Sequence, residues 1–463
     1  MGKTVEDKNK LHQYVKEPVD ELRESLRQGN VERVRACLEN LPHHETARVV
    51  SQLSEEEQSQ LLLLLPDEEA ADLLESLPES HAAQLVENMD TSEAAEILNE
   101  VESDEQADIL GRLREQSADA ILLRMEPAEA ADARRLMQYP RDSAGGLMIS
   151  EYVAYPDNFR VEDVLADLRQ NARNYREYDV QYLYVTDGDA KLVGVLRLRD
   201  LLLADPDDTI ASLMIRDPLA VDVETPLEAL ERFFERHPFF GVPVIDRDKK
   251  LVGVVRQQDV EAAAESRSGR TMLKFTGILG GEELRSMPLR LRSLRRLSWL
   301  SINIVLNIIA ASVIAFHQDT LAQVIALAVF LPIISDMSGC SGNQAVAVSM
   351  RELALGLTEP ADCFRVLLKE AAVGLINGFT LGLLLGLVAF GWKGIPALGL
   401  VVGAAMFLNT VVAVCIGGSV PLILKGLNHD PALASGPILT TITDMCGFFL
   451  VLSFAQYMLP WLV

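Results

Sequence analysis

Cysteine is scarce: there are five in 463 residues, Cys37, Cys340, Cys363, Cys415 and Cys446. None stands at a metal-ligand spacing and four lie in or beside apolar stretches, so small buried hydrophobes are expected. Cys or His pairs are also missing from the apolar stretches, which argues against a site tuned to soft metals. Basic charge is short. The formal net charge is −25, and residues 1–150 hold about 33 acids against about 15 bases. Phosphate backbones would be repelled, so no nucleic-acid partner is expected. No apolar stretch opens the chain (MGKTVEDKNKLHQ), so no secretory signal is expected. No GxxxxGK[ST] loop is present, against an ATP-driven pump. No nucleophile–base constellation stands out, so no enzyme is expected. Long hydrophobic runs are missing before about residue 297 and dominate after it.

The acidic part carries a repeat of period 12 over residues 37–125. Leu41, Leu53, Leu65, Leu77, Met89, Val101, Leu113 and Met125 hold one phase, each preceded by an apolar pair such as Leu61-Leu62, Leu73-Leu74 or Ile97-Leu98. Pro42, Pro66 and Pro78 follow the phase residue and are expected to end each helix. Two-turn helices stacked as an all-α solenoid follow, in which no unit is stable alone. Its acidic faces, for example Glu93 and Glu96, suit either solvation or a divalent cation.

From about residue 140 strands and helices alternate. QYLYVTD (181–187) and KLVGV (191–195) read as strands around a turn, and GVPVID (241–246) and LVGVV (251–255) repeat them. LVGVLRLRD (192–200) and LVGVVRQQD (251–259) are near copies. The pair resembles a tandem CBS module, an α/β unit. That resemblance implies ATP as a candidate ligand, with Asp200 and Asp259 toward the ribose and Tyr182 as stacking partner. Where such modules carry Ser or Thr, Arg197 stands in one copy and Gln257 in the other, so a purely structural pair is the alternative. Residues 260–292 read as a long connecting helix, whose basic run through Arg295 and Arg296 marks the cytoplasmic side of a membrane.

Spans are expected at about 297–317, 321–356, 364–391, 396–424 and 433–462, making five crossings. The second is expected to break at Gly339 and Gly342, and Gly436-Pro437 to unwind the start of the last. Loop charge puts the N-terminal half in the cytoplasm and the C-terminus outside, in the plasma (cytoplasmic) membrane. Asp444 is the sole ionisable residue of the last span. A mid-span aspartate costs roughly 2.5–3.5 kcal/mol on insertion scales, so it faces a bundle interior or a wet cavity. Thr440 and Thr441 precede it by about a turn and Gly447 follows by three, a polar strip suited to a hydrated cation. A bond to a neighbouring helix for structure alone is the competing reading. PIISDMSGCSGNQ (332–344) adds Asp336, Asn343 and Gln344 at membrane depth. Asn303, Asn307, Asn377 and Asn409 are expected to bond between helices.

An acidic solenoid, a CBS pair, a connecting helix and five spans together resemble the MgtE family of magnesium channels. SAGGLM (143–148), SGNQAVAVSMRELALG (341–356) and DPALASGPILTTITD (430–444) carry the resemblance. It implies domains at 1–139, 140–266, 267–296 and 297–463, and a homodimeric, gated Mg²⁺ channel set in lipid. Asp444 would be its selective residue, with carbonyls near Gly436 and Thr440 on the path. A coupled transporter of Mg²⁺ or Co²⁺ with the same fold is the alternative. Mg²⁺ keeps its waters and is held through one or two carboxylates, which suits two copies of Asp444 across a dimer axis. Asp336 either adds a carboxylate to the pore entrance or pairs with an amide. The resemblance further implies closure by cytosolic Mg²⁺ through Glu93, Glu96, Glu228, Asp259 and Asp430. Arg267 and Arg270 stand where acids are usual, so weaker Mg²⁺ feedback is expected.

Overall fold

Eight short helices begin twelve residues apart: His43–Val50, Glu55–Leu64, Asp67–Glu75, Glu79–Asn88, Thr91–Leu98, Ser103–Leu110, Glu115–Leu122 and Pro127–Leu136. The apolar phase residues and the pairs before them form one continuous core, with Leu61, Leu62, Leu74, Leu98 and Ile109 almost wholly buried. From Glu55–Leu64 onward, each helix packs on the next but one. This is the geometry of a solenoid whose units lack a core of their own. The prolines act differently from expectation: Pro42, Pro66 and Pro78 take the N-cap of the following helix. A missing N–H costs nothing at that end of a helix, so proline starts the next unit as much as it stops the last. Ser54 starts its helix with a capping box, its hydroxyl accepting from Glu57 N at 3.2 Å while Glu57 accepts from Ser54 N at 3.0 Å.

The computed structural model describes residues 18–462, apart from 173–174, 176–177, 179–180, 279–282, 284–286 and 288; at 43–44 and 433–435 only the backbone is described. Two compact units meet in sequence at Arg267 and Ser268. In the first, the strand–helix–strand duplication is present. One sheet orders Ala154–Pro156, Tyr182–Thr186, Leu192–Arg197 and Ile215–Arg216; the other orders Val221–Asp222, Gly241–Ile245 and Leu251–Arg256. Each sheet starts with a parallel pair and continues antiparallel. The turns match too: Lys191 N donates to Asp187 and Lys250 N to Asp246, both at 2.9 Å. The strand ends place Arg256, rather than Gln257, as the counterpart of Arg197.

The connecting helix, Gln257–Phe275, is shorter than expected. Gly277 follows at φ +88, a conformation that glycine alone adopts freely, and it turns the chain out of the helix. A Cβ there would also meet the indole of Trp299 at 2.1 Å. The next helix, Leu289–Phe316, already contains Arg290, Arg292, Arg295 and Arg296 in its first turns. The basic run is therefore divided: Arg267, Arg270 and Lys274 stay on the connector, and the four arginines from Arg290 to Arg296 lie on the apolar helix.

Among the described residues, four helical segments are long and apolar enough to cross a membrane: Leu289–Phe316, Pro360–Lys393, Pro396–Gly426 and Gly436–Tyr457. The expected span at 321–356 is a helix, Leu327–Ala354, but its polar insertion keeps it outside that group. It runs unbroken through Gly339 and Gly342. Gly342 serves close packing instead, since a Cβ there would lie 2.9 Å from Leu439 and 3.0 Å from the Ala413 carbonyl. The last long helix, Pro431–Tyr457, likewise continues through Gly436 and Pro437. Phe330, Leu331 and Ile334 join Val401, Val402, Ala405, Val451 and Leu452 in the core of this bundle.

Candidate functional site

Asp444 is half-buried, and its carboxylate accepts a hydrogen bond from the Ser335 hydroxyl of the Leu327–Ala354 helix. The aspartate is therefore bonded across helices and still partly open. Thr440 is exposed and lies four residues before Asp444 on the same helix face. Gly436 extends that face by another turn, and a Cβ there would meet nothing within 4 Å. Thr441 turns back on its own helix, its hydroxyl donating to the Pro437 carbonyl at 2.8 Å. Gly447 is buried on another side, where a Cβ would lie 2.7 Å from Asn409 Nδ2. It therefore admits a neighbouring helix rather than belonging to the open strip.

Asp336 and Asn343 are both exposed and lie seven residues apart, on one face of the Leu327–Ala354 helix. Ser335, missed in the sequence, is the residue that reaches Asp444. The usable signal was helical phase: Ile334, Ser338, Gly342, Ala345 and Ser349 form the buried stripe, and Ser335 sits beside it. Of the four asparagines expected to bond between helices, Asn409 does so, donating to Ser338 Oγ at 2.5 Å and to the Thr443 carbonyl at 3.1 Å. Asn303 donates to the Trp299 carbonyl of its own helix at 3.1 Å, and Asn307 and Asn377 are exposed. Bonding within one turn is cheaper than finding a partner on another helix.

Three of the five acids expected to answer to regulatory Mg²⁺ meet bases of this chain. Arg256 is held between Asp259, at 2.7 Å, and Glu102, at 2.6 Å. Arg267 bonds Glu228. Lys274 Nζ donates to Asp430 at 2.9 Å, while the other oxygen of Asp430 accepts from Ala432 N and caps the last helix. Glu93 is half-buried and Glu96 exposed, both on Thr91–Leu98. Burial pushes the Asp259 carboxyl above its ordinary range, against the pull of Arg256. Nearby acids are raised in the same way: Glu75 to about 7 and Glu105 to about 8, first by burial and then by neighbouring carboxylates. Asp104 is raised by burial and by Asp259. Among the described residues no three or more His, Cys, Asp or Glu side chains are grouped to hold a metal ion.

A cleft between the two CBS copies is lined by Tyr152, Tyr182, Tyr184, Phe240, Glu151 and Arg256, among others. Asp200 does not line it and pairs with Arg199 at 3.2 Å and Arg197 at 3.9 Å. Both aspartates proposed for a ribose are already engaged by arginine.

Family models match most of the chain. An MgtE intracellular N domain covers residues 19–142, CBS domains cover 144–207 and 210–265, and a divalent cation transporter model described as MgtE covers 331–454. The chain is 32% identical over 332 residues to the magnesium transporter MgtE of Bacillus subtilis strain 168, covering 72% of this chain and 73% of that one. The chain belongs to the MgtE family. The MgtE of Thermus thermophilus is 35% identical over 337 residues, 72% of this chain and 74% of its own. A solved structure of the soluble part of a magnesium transporter is 26% identical with a TM-score of 0.50, covering 55% of this chain and 99% of that one. The MgtE model spans both Ser335 and Asp444, so the helix pair described above lies within the family's transport region.

Proposed function

We propose that this chain is a gated Mg²⁺ channel of the cytoplasmic membrane, working as a homodimer, with Asp444 as the residue that meets the ion. One observation carries the reading. The sole acid of the last apolar helix is fixed by Ser335 on the neighbouring helix, and the face that continues it, Thr440 and Gly436, is open. A carboxylate is retained at membrane depth when it serves a path. Mg²⁺ that keeps its waters needs few direct ligands, so a lone carboxylate per chain, doubled by a second copy, suffices. Asp336 and Asn343 join the path as polar groups on the Leu327–Ala354 helix, which we take as the fifth crossing. The basic residues at the start of Leu289–Phe316 support a cytoplasmic N-terminal half and an external C-terminus.

The four-part division at residues 139, 266 and 296 remains our plan of the domains. In it, the solenoid and CBS pair regulate opening. Cytosolic Mg²⁺ acts through Glu93, Glu96, Glu228, Asp259 and Asp430, but Arg256, Arg267 and Lys274 already supply positive charge to three of these. Feedback by Mg²⁺ is accordingly weak. ATP has no step in this reading, because Asp259 is held by Arg256 and Asp200 does not line the cleft.

The test is Mg²⁺ uptake into liposomes carrying wild type or Asp444→Asn, repeated with Ca²⁺ and Co²⁺. We expect the variant to lose Mg²⁺ uptake by roughly tenfold or more while inserting normally. Undiminished uptake would end the proposal.

A further inference from the structure

Asn409 is fully buried in the Pro396–Gly426 helix, among Val401, Val402, Ala405 and Ala413. Its amide nitrogen reaches two other helices at once: Ser338 Oγ at 2.5 Å on Leu327–Ala354, and the Thr443 carbonyl at 3.1 Å on Pro431–Tyr457. These are the two helices joined by the bond between Ser335 and Asp444. Ser338 lies one turn from Ser335, and Thr443 immediately precedes Asp444. The amide therefore ties the same helix pair a second time, next to the ion-facing carboxylate.

The surroundings are shaped for this. A Cβ on Gly447 would lie 2.7 Å from Asn409 Nδ2, so glycine is needed for the amide to reach its acceptors. Ser338 in turn donates to a carbonyl of its own helix, at Ile334, 2.5 Å away, which leaves its oxygen free to accept. Asn409 Oδ1 is buried with no hydrogen-bond partner among the described residues. A half-satisfied amide is a poor choice if packing alone were required, because an apolar residue would fill the space without that cost.

We propose that Asn409 is a positioning residue: it fixes the height and rotation of the last helix against the Leu327–Ala354 helix, and so holds Asp444 where it discriminates between divalent ions. The proposal rests on the reading of Asp444 given above. Mg²⁺ and Ca²⁺ differ in the size and rigidity of their oxygen shells, so a carboxylate free to shift by a fraction of an ångström loses selectivity before it loses attraction.

The experiment uses the full chain in liposomes, with Mg²⁺ and Ca²⁺ entry measured separately on wild type, Asn409→Leu, Gly447→Ala and Asp444→Asn. Asn409→Leu keeps the volume and removes the donor. Gly447→Ala keeps the amide and displaces it, and decides the matter if the leucine variant does not insert. The expected result is a fall of about fivefold in the ratio of Mg²⁺ to Ca²⁺ entry for both, the size of one lost hydrogen bond. A merely structural role would lower both rates by reducing the number of working molecules and leave the ratio alone. An unchanged ratio in both variants, with Asp444→Asn inactive, overturns the positioning role only. An active Asp444→Asn overturns the reading of the ion path and this proposal with it.

Discussion

Arg256 joins two parts of the first unit through a single guanidinium. It donates to both oxygens of Glu102, each at 2.6 Å, and to both of Asp259, at 2.7 and 3.0 Å. Arg256 and Asp259 are each 14% exposed, so solvent screens their pairing little. Removing the arginine leaves carboxylates buried and uncompensated, a loss of about 3 kcal/mol at the lower end for buried pairs. Urea unfolding of the cytosolic part should therefore show Arg256→Ala destabilised by that amount; a change under about 0.5 kcal/mol would place the pair among surface bridges. The Arg267–Glu228 pair is more open, at 37% and 42% exposure, and its loss should be nearly silent in the same measurement.

At the level of helices, the period-12 repeat was legible because each unit has one apolar phase, and the helix starts at 43, 55, 67 and onward keep it. The CBS duplication was legible from near-identical strands. Ser335 was harder to read, because Ser335 and Asp336 are adjacent polar residues and only the phase of the buried stripe beside them favours Ser335 as the inward one. Arg256 as the counterpart of Arg197 was legible, since both are the sixth residue of the near copies 192–200 and 251–259, and both end their strands. The helices Asp67–Glu75 and Ser103–Leu110 carry a pH dependence that sequence could not give. Glu75 and Glu105 hold protons up to about pH 7 and 8 when folded, mainly through burial. The folded state thus binds more protons than the unfolded one between about pH 4.5 and 8, so stability falls as pH rises across that window. Melting of the N-terminal unit in chelator should show stability dropping between about pH 4.5 and 8, by on the order of several kcal/mol. Glu105→Gln should flatten the curve, and an unaltered slope would mean that Glu105 is not the titrating group.

Across the whole molecule, the resident bases on Asp259, Glu228 and Asp430 set an expectation for regulation. Charge that Mg²⁺ would neutralise is already partly neutralised, so flux should decline only shallowly as cytosolic Mg²⁺ rises through the millimolar range. Steep closure in that range would contradict it. Architecture was read from the order of solenoid, CBS pair and apolar helices, because each has its own periodicity. The number of crossings was harder to read, since the helix that supplies Ser335 trades hydropathy for polar groups.

The central claim is that Asp444 lies on a passive route for Mg²⁺. Its most direct test is the initial rate of Mg²⁺ entry into vesicles under an imposed, inside-negative potential, for wild type and Asp444→Asn at matched incorporation. The account predicts entry that rises with the potential in wild type and is nearly abolished in the variant. Equal, voltage-dependent entry in both would contradict it.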